Sequence, residues 1–214
     1  MLSLSTCEQK KKLMPAKAYH HGDLRQKIIE ESLAWIEQEN IVSLSLRGVA
    51  KRLGVSHNAP YRHFPDKESL LVAIAKIGFS QLHDALEQAA KSSPNDHQQQ
   101  LENIGVASIQ YAVSHRAYYQ VMFSDRQLIC EDHPELYRLS QAAFNVLLDA
   151  IKAGQSAQVF IFQDSLQLAR ICWSMTHGLS MLAIDNQLAI TEEDELTELA
   201  RMATKVVSTG LMQT

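Results

Sequence analysis

The sequence has few of the residues that break helices and few of those that build extracellular scaffolds. It contains 8 Gly and 5 Pro in 214 residues, and strand-like alternation of apolar and polar residues is absent, so a β-sheet fold is not expected. Its three cysteines, Cys7, Cys130 and Cys172, form no CxxC pair and are odd in number. They argue against a disulfide scaffold and fit a reducing compartment.

Long apolar runs are missing as well. No stretch of about 18 apolar residues occurs, so no transmembrane helix and no membrane partner are predicted. Residues 1–25 lack the order of a signal peptide, because their charges follow the only mildly apolar stretch. The protein is therefore expected in the cytoplasm. Hydrophobic residues make up 46% of the chain, which is ordinary for a packed globular protein.

Charge is unevenly distributed along the chain. Residues 1–67 hold 11 Lys/Arg and 7 Asp/Glu, a net charge of +4, and residues 68–214 hold 9 and 17, a net charge of −8. The two parts sum to the −4 of the whole chain. A basic N-terminal part on an acidic body predicts contact with a polyanion, although chance surface charge is an alternative.

Apolar residues at helical spacing predict helices nearly throughout. The first runs from about Asp23 to Glu39, with Asn40 as a left-handed stop. A long helix begins at Pro65-Asp66-Lys67, and further helices are predicted at about 98–114, around 118–123, and at 134–153, 161–186 and 192–212. The breaks between them are predicted at 92–97, 130–135, 154–158 and 191–194.

Two short helices are predicted on either side of a tight turn at Gly54. Ser43 or Ser45 caps the first and Ser56 the second, and Val55 is predicted as a buried plug. The first helix has an apolar face of Leu46, Val49, Ala50 and Leu53. This is the helix-turn-helix pattern, and its second helix projects outward. Accordingly, that helix carries hydrogen-bonding side chains in place of apolar ones: Ser56, His57, Asn58, Tyr61, Arg62 and His63.

The segment LRGVAKRLGVSHNAPYRHFPDKESLL, residues 46–71, resembles the DNA-binding domain of TetR-family transcriptional regulators. The Gly-Val-Ser turn, the Tyr-x-His-Phe run and the following Lys67 carry the resemblance, which extends back to residue 19. The resemblance implies an all-α, dimeric bacterial protein from a family whose members usually repress transcription. Its implied parts are a flexible basic arm (1–18), a helix-turn-helix DNA-binding domain (19–67) and a helical effector-binding and dimerisation domain (68–214).

The resemblance also implies roles for single residues. Arg47 would contact DNA, Ser45 would hold a phosphate at the helix N-terminus, and Phe64 would pack inward. Tyr61, His63 and Lys67 would grip phosphates. The complete predicted DNA-binding set is Ser45, Arg47, Ser56, His57, Asn58, Ala59, Tyr61, Arg62, His63 and Lys67.

Two features of this region depart from the simplest picture. Pro60 stands where many relatives carry Leu or an aromatic residue, and it costs one hydrogen bond in the first turn of the short helix. The arm with Lys10–Lys12, Lys17, Tyr19, His20 and His21 would reach the minor groove or the DNA backbone, or it is a disordered tail. Translation from Met14 would remove the Lys triplet.

The heptapeptide WSMTHGL, 173–179, resembles the Trp…His-Gly signature of one C-terminal class of the family. Trp173 and His177 share a helix face, and either line an effector pocket or pack in the core, with Gly178 allowing a close helix crossing. The other pocket candidates are Phe79, Leu82, His83, Tyr111, Met122, Phe123 and Phe144. Core packing is the alternative for each, and the expected ligand is small and mainly apolar.

The last two helices are predicted to form the homodimer interface as a four-helix bundle, unless their apolar faces are buried within one chain. One face would comprise Leu166, Ala169, Cys172, Thr176 and Ser180. The other would comprise Leu196, Leu199, Ala200, Ala203, Val206, Val207 and Gly210.

No metal site, cofactor or catalytic activity is predicted. The cluster Cys130-Glu131-Asp132-His133 and the pair His20-His21 are too close in sequence to wrap a tetrahedral ion, and no catalytic motif is present. The sequence thus indicates a DNA-binding repressor released by a ligand. One alternative is a protein of the same fold that recruits a protein partner without sensing a ligand, and another is an enzyme with an accessory helix-turn-helix.

Overall fold

The computed structural model describes residues 21–124, 133–190 and 192–213. The predicted basic arm, Tyr19, His20 and the segment Cys130–Asp132 lie outside them. The described helices are α1 (His21–Gln38), α2 (Leu46–Arg52), α3 (Lys67–Lys91), α4 (His97–Ser114), α5 (Arg116–Ser124), α6 (Pro134–Ser156), α7 (Ser165–Ile184) and α8 (Glu193–Leu211). A 3₁₀ turn, Pro60–Arg62, lies between α2 and α3. The predicted all-α class is confirmed.

Local signals set the helix ends in the N-terminal part. Ser45 caps α2 by accepting a hydrogen bond from the Gly48 amide at 3.1 Å. Gly54 follows α2 with φ of +66°, which a residue with a Cβ adopts only at a cost. Asn40 does not adopt the predicted left-handed conformation. Its Oδ1 instead accepts from the Ser43 amide at 2.8 Å, which closes a side-chain turn after α1.

The second element of the helix-turn-helix differs from the regular helix that the sequence predicts. Ala59 donates its amide to the Ser56 carbonyl at 2.9 Å, and Arg62 donates to Ala59 at 3.3 Å, so consecutive tight turns replace an α-helix. Pro60 has no amide hydrogen to give, and its ring occupies the position of the helical bond to residue 56. The Pro60 ring is buried beneath this element, whereas Val55 is only half-buried and does not form the predicted fully buried plug.

Helix α3 connects the N-terminal part to the rest of the molecule. Asp66 caps it through a reciprocal capping box with Ser69, with Asp66 Oδ1 accepting from the Ser69 amide at 2.7 Å. The helix then packs against α4, α5 and α6, while α5 also contacts α1. Its buried side chains are Leu70, Leu71, Val72, Ile74, Ala75, Phe79, Leu82 and Leu86.

The C-terminal helices surround α4, which packs against α3, α6, α7 and α8. Helix α6 continues through the predicted break at 154–158 as far as Ser156, and α7 begins only at Ser165 instead of 161. The reason is the loop between them, where Phe160 is buried against Gly154. None of the described helices combines the length and apolar character that a membrane span requires.

The small residues of α7 face the interior of this chain. Ala169, Cys172, Thr176 and Ser180 are all buried, and α7 packs against α4. The prediction that this face meets a second copy is therefore wrong, and the alternative of burial within one chain holds. Leu166 alone of that set is exposed. The physical reason is that small side chains let α7 pack directly on α4, where a Cβ at Gly105 would lie 3.5 Å from Thr176 of α7. On α8, the approach to Gly105 is closer still, because the same Cβ would collide with Thr204.

Gly105→Ala tests this close approach. The added methyl group overlaps the Thr204 side chain, and overpacking of this kind costs about 1–3 kcal/mol. We expect the free energy of unfolding, measured by urea denaturation, to fall by that amount.

Thr204→Ser in the same background should restore most of the loss, because it removes the clashing methyl group and keeps the hydroxyl that bonds the Ala200 carbonyl at 3.0 Å. Equal losses in the single Gly105→Ala variant and in the double variant would contradict the proposed contact.

Candidate nucleic-acid interface and internal cavity

One surface of the N-terminal part carries exposed polar side chains, most of which have no side-chain hydrogen bond to a described residue. Seven of the ten residues predicted to bind DNA are exposed: Ser45, Arg47, Ser56, His57, Asn58, Tyr61 and Arg62. The remaining three, Ala59, His63 and Lys67, are half-buried. Exposed donors on adjacent turns are what contact with phosphates and base edges requires, and the contact itself stays a prediction.

Arg47 and Arg52 lie on the same short helix but have different surroundings. Arg52 Nη2 lies 2.6 Å from Glu39 Oε1, Arg52 Nη1 lies 3.4 Å from Glu31 Oε1, and the guanidinium stacks on the Trp35 ring, 3.9 Å from its centroid. Arg47 makes no ion pair with any described carboxylate. Arg52 therefore fixes α2 to α1, and Arg47 is left available to a ligand.

Lys67 has an intramolecular role that the sequence does not reveal. Its Nζ donates to the carbonyls of Ile41 at 2.6 Å and Val42 at 3.1 Å, in the connection between α1 and α2. Partial burial lowers the pKa of Lys67 from its ordinary value. An ammonium group has three protons, so one remains for a phosphate. Lys67 thus anchors the start of α3 to the connection between α1 and α2.

The inward side of this element is closed by two rings. Phe64 is 2% exposed, as predicted, and the Arg25 guanidinium lies over it at 5.1 Å from the ring centroid. Pro60 is buried beside it. Tyr61, between them in sequence, is 42% exposed and projects outward. The alternation places the predicted phosphate-gripping ring on the surface and its neighbours in the core.

An internal cavity of about 750 Å³ opens between α3, α4, α5, α6 and α7, with part of α8. Pockets of this size hold drug-sized ligands. Seven of the nine predicted pocket residues line it: Phe79, Leu82, Met122, Phe123, Phe144, Trp173 and His177. Phe79, Leu82 and Met122 are at the same time buried members of the core, so the assignment of these positions to an effector pocket stays a prediction.

The other two predicted pocket residues do not line this cavity. The Tyr111 ring is buried between helices, and its hydroxyl donates to the Gly78 carbonyl at 2.9 Å. His83 lies on a different groove, where its Nδ1 is 3.4 Å from Asp84 Oδ1. Both positions follow the helical period of the core, but a neighbouring helix covers Tyr111, and His83 faces away from the cavity.

His177 is at the centre of the aromatic part of the cavity wall. Its ring lies 4.6 Å from Phe123 and 5.4 Å from Trp173, between ring centroids, and its Nδ1 is 2.8 Å from the Tyr119 hydroxyl. Burial lowers the pKa of His177 and raises the pKa of Tyr119, so both are neutral at neutral pH. The pair therefore satisfies itself without adding charge to the cavity.

Several residues that line the cavity could not be identified as pocket residues from the sequence. Cys172 borders the cavity, and burial raises the pKa of its thiol to about 11. At the mouth, Gln141 and Arg170 are exposed, and Leu166 and Trp173 are each 39% exposed. Positions 166, 170 and 173 have the spacing of one helix face, which is the only sequence signal that could have grouped Arg170 with Trp173.

The part of the chain that the structure describes holds no group of three or more His, Cys, Asp or Glu residues that could bind a metal ion. Of the Cys130–His133 cluster, only His133 is described. Its Nε2 is 2.8 Å from Glu68 Oε1, at the beginning of α3.

Comparison with known proteins identifies relatives of both parts of the chain. Residues 28–74 match the family model described as bacterial regulatory proteins of the tetR family, and residues 101–206 match the tetracyclin repressor-like C-terminal domain. An HTH-type transcriptional regulator AcrR from Shigella flexneri is 30% identical over 132 residues. That match covers 60% of this chain and 59% of the regulator, less than two thirds of its length.

Solved structures share the fold over most of the chain. A protein of unknown function from Rhodococcus sp. RHA1 has a TM-score of 0.79 and 26% identity, covering 92% of this chain and all of that one. The transcriptional regulator FadR from Bacillus subtilis, solved in complex with stearoyl-CoA, has a TM-score of 0.70 and 16% identity, covering 87% of this chain and 98% of its own. At that identity, the second match shows the fold alone.

The contrast between Arg52 and Arg47 gives a test of stability. Arg52→Ala removes two ion pairs and a stacking contact, and we expect a loss of about 1–2 kcal/mol in the free energy of unfolding. Arg47→Ala, on the same helix, should change it by less than about 0.5 kcal/mol, since its side chain has no described ion pair. Thermal and urea unfolding would measure both, and equal losses would contradict the assignment.

Proposed function

Because the chain belongs to the TetR family of bacterial transcriptional regulators, we propose that it is a ligand-responsive repressor that binds operator DNA as a homodimer in the cytoplasm. The observation that carries the proposal is the surface of exposed, unpartnered polar side chains on α2 and the turns after it. The alternative of a protein that recruits a partner without sensing a ligand is less well supported, since the C-terminal part contains a cavity of about 750 Å³.

In the proposed DNA complex, each protomer inserts the element from Ser56 to Phe64 into a major groove. Two copies related by a two-fold axis would enter grooves about 34–36 Å apart, one helical turn of DNA. Arg47 and Tyr61 would bind phosphates at the edge of the groove, and His57 and Asn58 would meet base edges. Lys67 would hold the connection between α1 and α2 to the start of α3 while offering its remaining proton to a phosphate.

The proposed switch runs through α3 and α5. Helix α5 presents Tyr119, Met122 and Phe123 to the cavity, and the same helix packs against α1 of the DNA-binding part. Met122 also lies against Gly78 of α3, where its Sδ is 2.5 Å from the position of a Cβ. A ligand that displaces Met122 or Phe123 would move α5 and α3 together. It acts only if it binds one arrangement of these helices more tightly than the other.

The proposed dimer uses the outward stripe of α7 and α8 in place of the small residues that face α4. Ile171 and Leu182 on α7 are 57% and 42% exposed, and Val206 on α8 is 69% exposed. Gly178 lies on the same outward stripe, and a Cβ there would meet no atom within 4 Å of its own chain. A glycine inside a helix costs about 1 kcal/mol relative to alanine. Close approach of a second copy would account for it.

DNA binding is tested by fluorescence anisotropy with the protein's own upstream DNA and a shuffled duplex, at two salt concentrations. Arg47→Ala with Tyr61→Ala should weaken binding about 10- to 100-fold and reduce the slope of the salt dependence by about one unit, because Arg47 is the cation of the pair. Arg138→Ala, an exposed arginine on α6, is the matched control and should bind normally. Complete absence of salt-sensitive binding by the unmodified chain would defeat the proposal.

The dimer is tested by sedimentation equilibrium. Ile171→Asp with Leu182→Asp would bury two unpaired carboxylates in the proposed interface, and the dimer dissociation constant should rise by at least about 100-fold. Tyr137→Asp, at a position 51% exposed on α6, should leave the dimer unchanged. A dimer that tolerates the double substitution at α7, or an unmodified chain that is monomeric at micromolar concentration, would contradict the proposed interface.

A further inference from the structure

The polarity of the cavity changes from its mouth to its inner end. The inner wall is formed by buried residues such as Ile104, Tyr119 and Met122, none more than 2% exposed. The mouth is formed by Gln141 on α6 and Arg170 on α7, both exposed. A ligand that fits such a cavity has an apolar body and one polar end.

Three polar side chains of the cavity wall are already paired within the chain, whereas the half-buried Ser108 on α4 has no side-chain hydrogen bond to a described residue. Thr176 Oγ1 donates within its own helix, 3.1 Å from the Trp173 carbonyl, and Thr204 Oγ1 donates to the Ala200 carbonyl at 3.0 Å. The hydroxyl of Tyr119 is 2.8 Å from His177 Nδ1. Since these groups have partners, the inner wall offers a ligand mainly apolar and aromatic surface.

The charge at the mouth has one sign. Among the described residues that line the cavity, Arg170 is charged and none is an aspartate, a glutamate or a lysine. Arg170 makes no ion pair with a described carboxylate. Burial lowers the pKa of His177, so the imidazole adds no charge at neutral pH. Arg170 is thus a permanent cation without a counter-ion at the entrance of an apolar cavity.

A second polar donor lines the same cavity. Ser140 donates its hydroxyl to the Tyr137 carbonyl at 2.8 Å and is occupied. The side-chain amide of Gln141 has no recorded partner within the described chain and lies on α6, which packs against α7. A guanidinium and an amide together supply the planar N–H donors that a carboxylate accepts.

We propose that the effector of this cavity is an amphiphilic anion, an aliphatic or aromatic carboxylate whose head group binds Arg170 and Gln141 at the mouth and whose apolar body fills the space beside Phe123 and Trp173. The inference rests on the proposed ligand sensing and specifies the chemical class that is sensed. A cationic amphiphile would gain contact with the aromatic faces, but Arg170 would repel its head group. A neutral alcohol would leave the guanidinium without a counter-ion.

The test compares three probes with one chain length and different head groups: dodecanoate, 1-dodecanol and dodecyltrimethylammonium, each below its micelle concentration. Binding is followed by calorimetry on the unmodified chain and by tryptophan fluorescence. The chain has two tryptophans, so Trp35→Phe leaves Trp173, on the cavity wall, as the single reporter. Dodecanoate should bind at least about tenfold more tightly than either other probe.

Arg170→Gln should weaken dodecanoate binding about tenfold and leave 1-dodecanol binding unchanged, because the substitution removes the positive charge and keeps a neutral polar side chain. Arg170→Lys should restore part of the affinity. Arg201→Gln, which removes an exposed arginine of α8 outside this cavity, is the matched control and should change neither. Circular dichroism of each variant checks that it is folded.

Three results would overturn the inference: comparable affinity for all three probes, tighter binding of the cation, or no binding of dodecanoate. An Arg170→Gln variant that binds dodecanoate normally would overturn it as well. Failure of the proposed function looks different. If dodecanoate binds through Arg170 but leaves DNA affinity unchanged, anion selection stands and the switch fails. If all three probes release DNA equally, the switch stands and anion selection fails.

Discussion

Continuous burial of helix α3 is the constraint on which the rest of the structure depends. Its side chains contact α4, α5 and α6 along most of its 25 residues. At its first turn, Lys67 donates to the carbonyls of Ile41 and Val42, so the DNA-binding part is fixed to the same helix that forms one wall of the cavity. A small helix-turn-helix buries too little surface to be very stable alone. Here it shares a core with the larger part.

The sequence predicts those parts of the fold that local chemistry decides. Ser45 caps α2 with its side-chain oxygen, and Gly54 adopts the positive φ that its missing Cβ permits, as the sequence predicts. The long helix begins directly after Asp66, whose carboxylate caps it. The second element was less predictable, because Pro60 converts a helix into consecutive tight turns. Helix α6 passes its predicted end, and Phe160, in the loop that follows, packs back on Gly154, a contact that helical periodicity does not reveal.

The two candidate sites also differ in how far the sequence predicts them. Exposed polar residues near a recognised turn could be listed from the sequence, since their number and type are unusual for a core helix. The cavity could be predicted only as a set of apolar positions. Helical spacing shows that Tyr111 and Phe123 are both directed inward, but it does not show that Tyr111 meets α3 and Phe123 meets open space. The small face of α7 was misassigned for a related reason, since periodicity identifies a buried face without identifying what buries it.

The short element between Ser56 and Phe64 would also limit how many base pairs one protomer contacts in the proposed DNA complex. Pro60 fixes its backbone and prevents its extension as a regular helix, so in the proposed DNA complex only a few side chains, with His57 and Asn58 among them, would reach base edges. Each good contact of this kind discriminates one base pair from the others. So few contacts specify too few base pairs to distinguish one binding site from the rest of a bacterial genome. In the proposed homodimer, part of the specificity would then come from the fixed distance and orientation between its two DNA-binding elements.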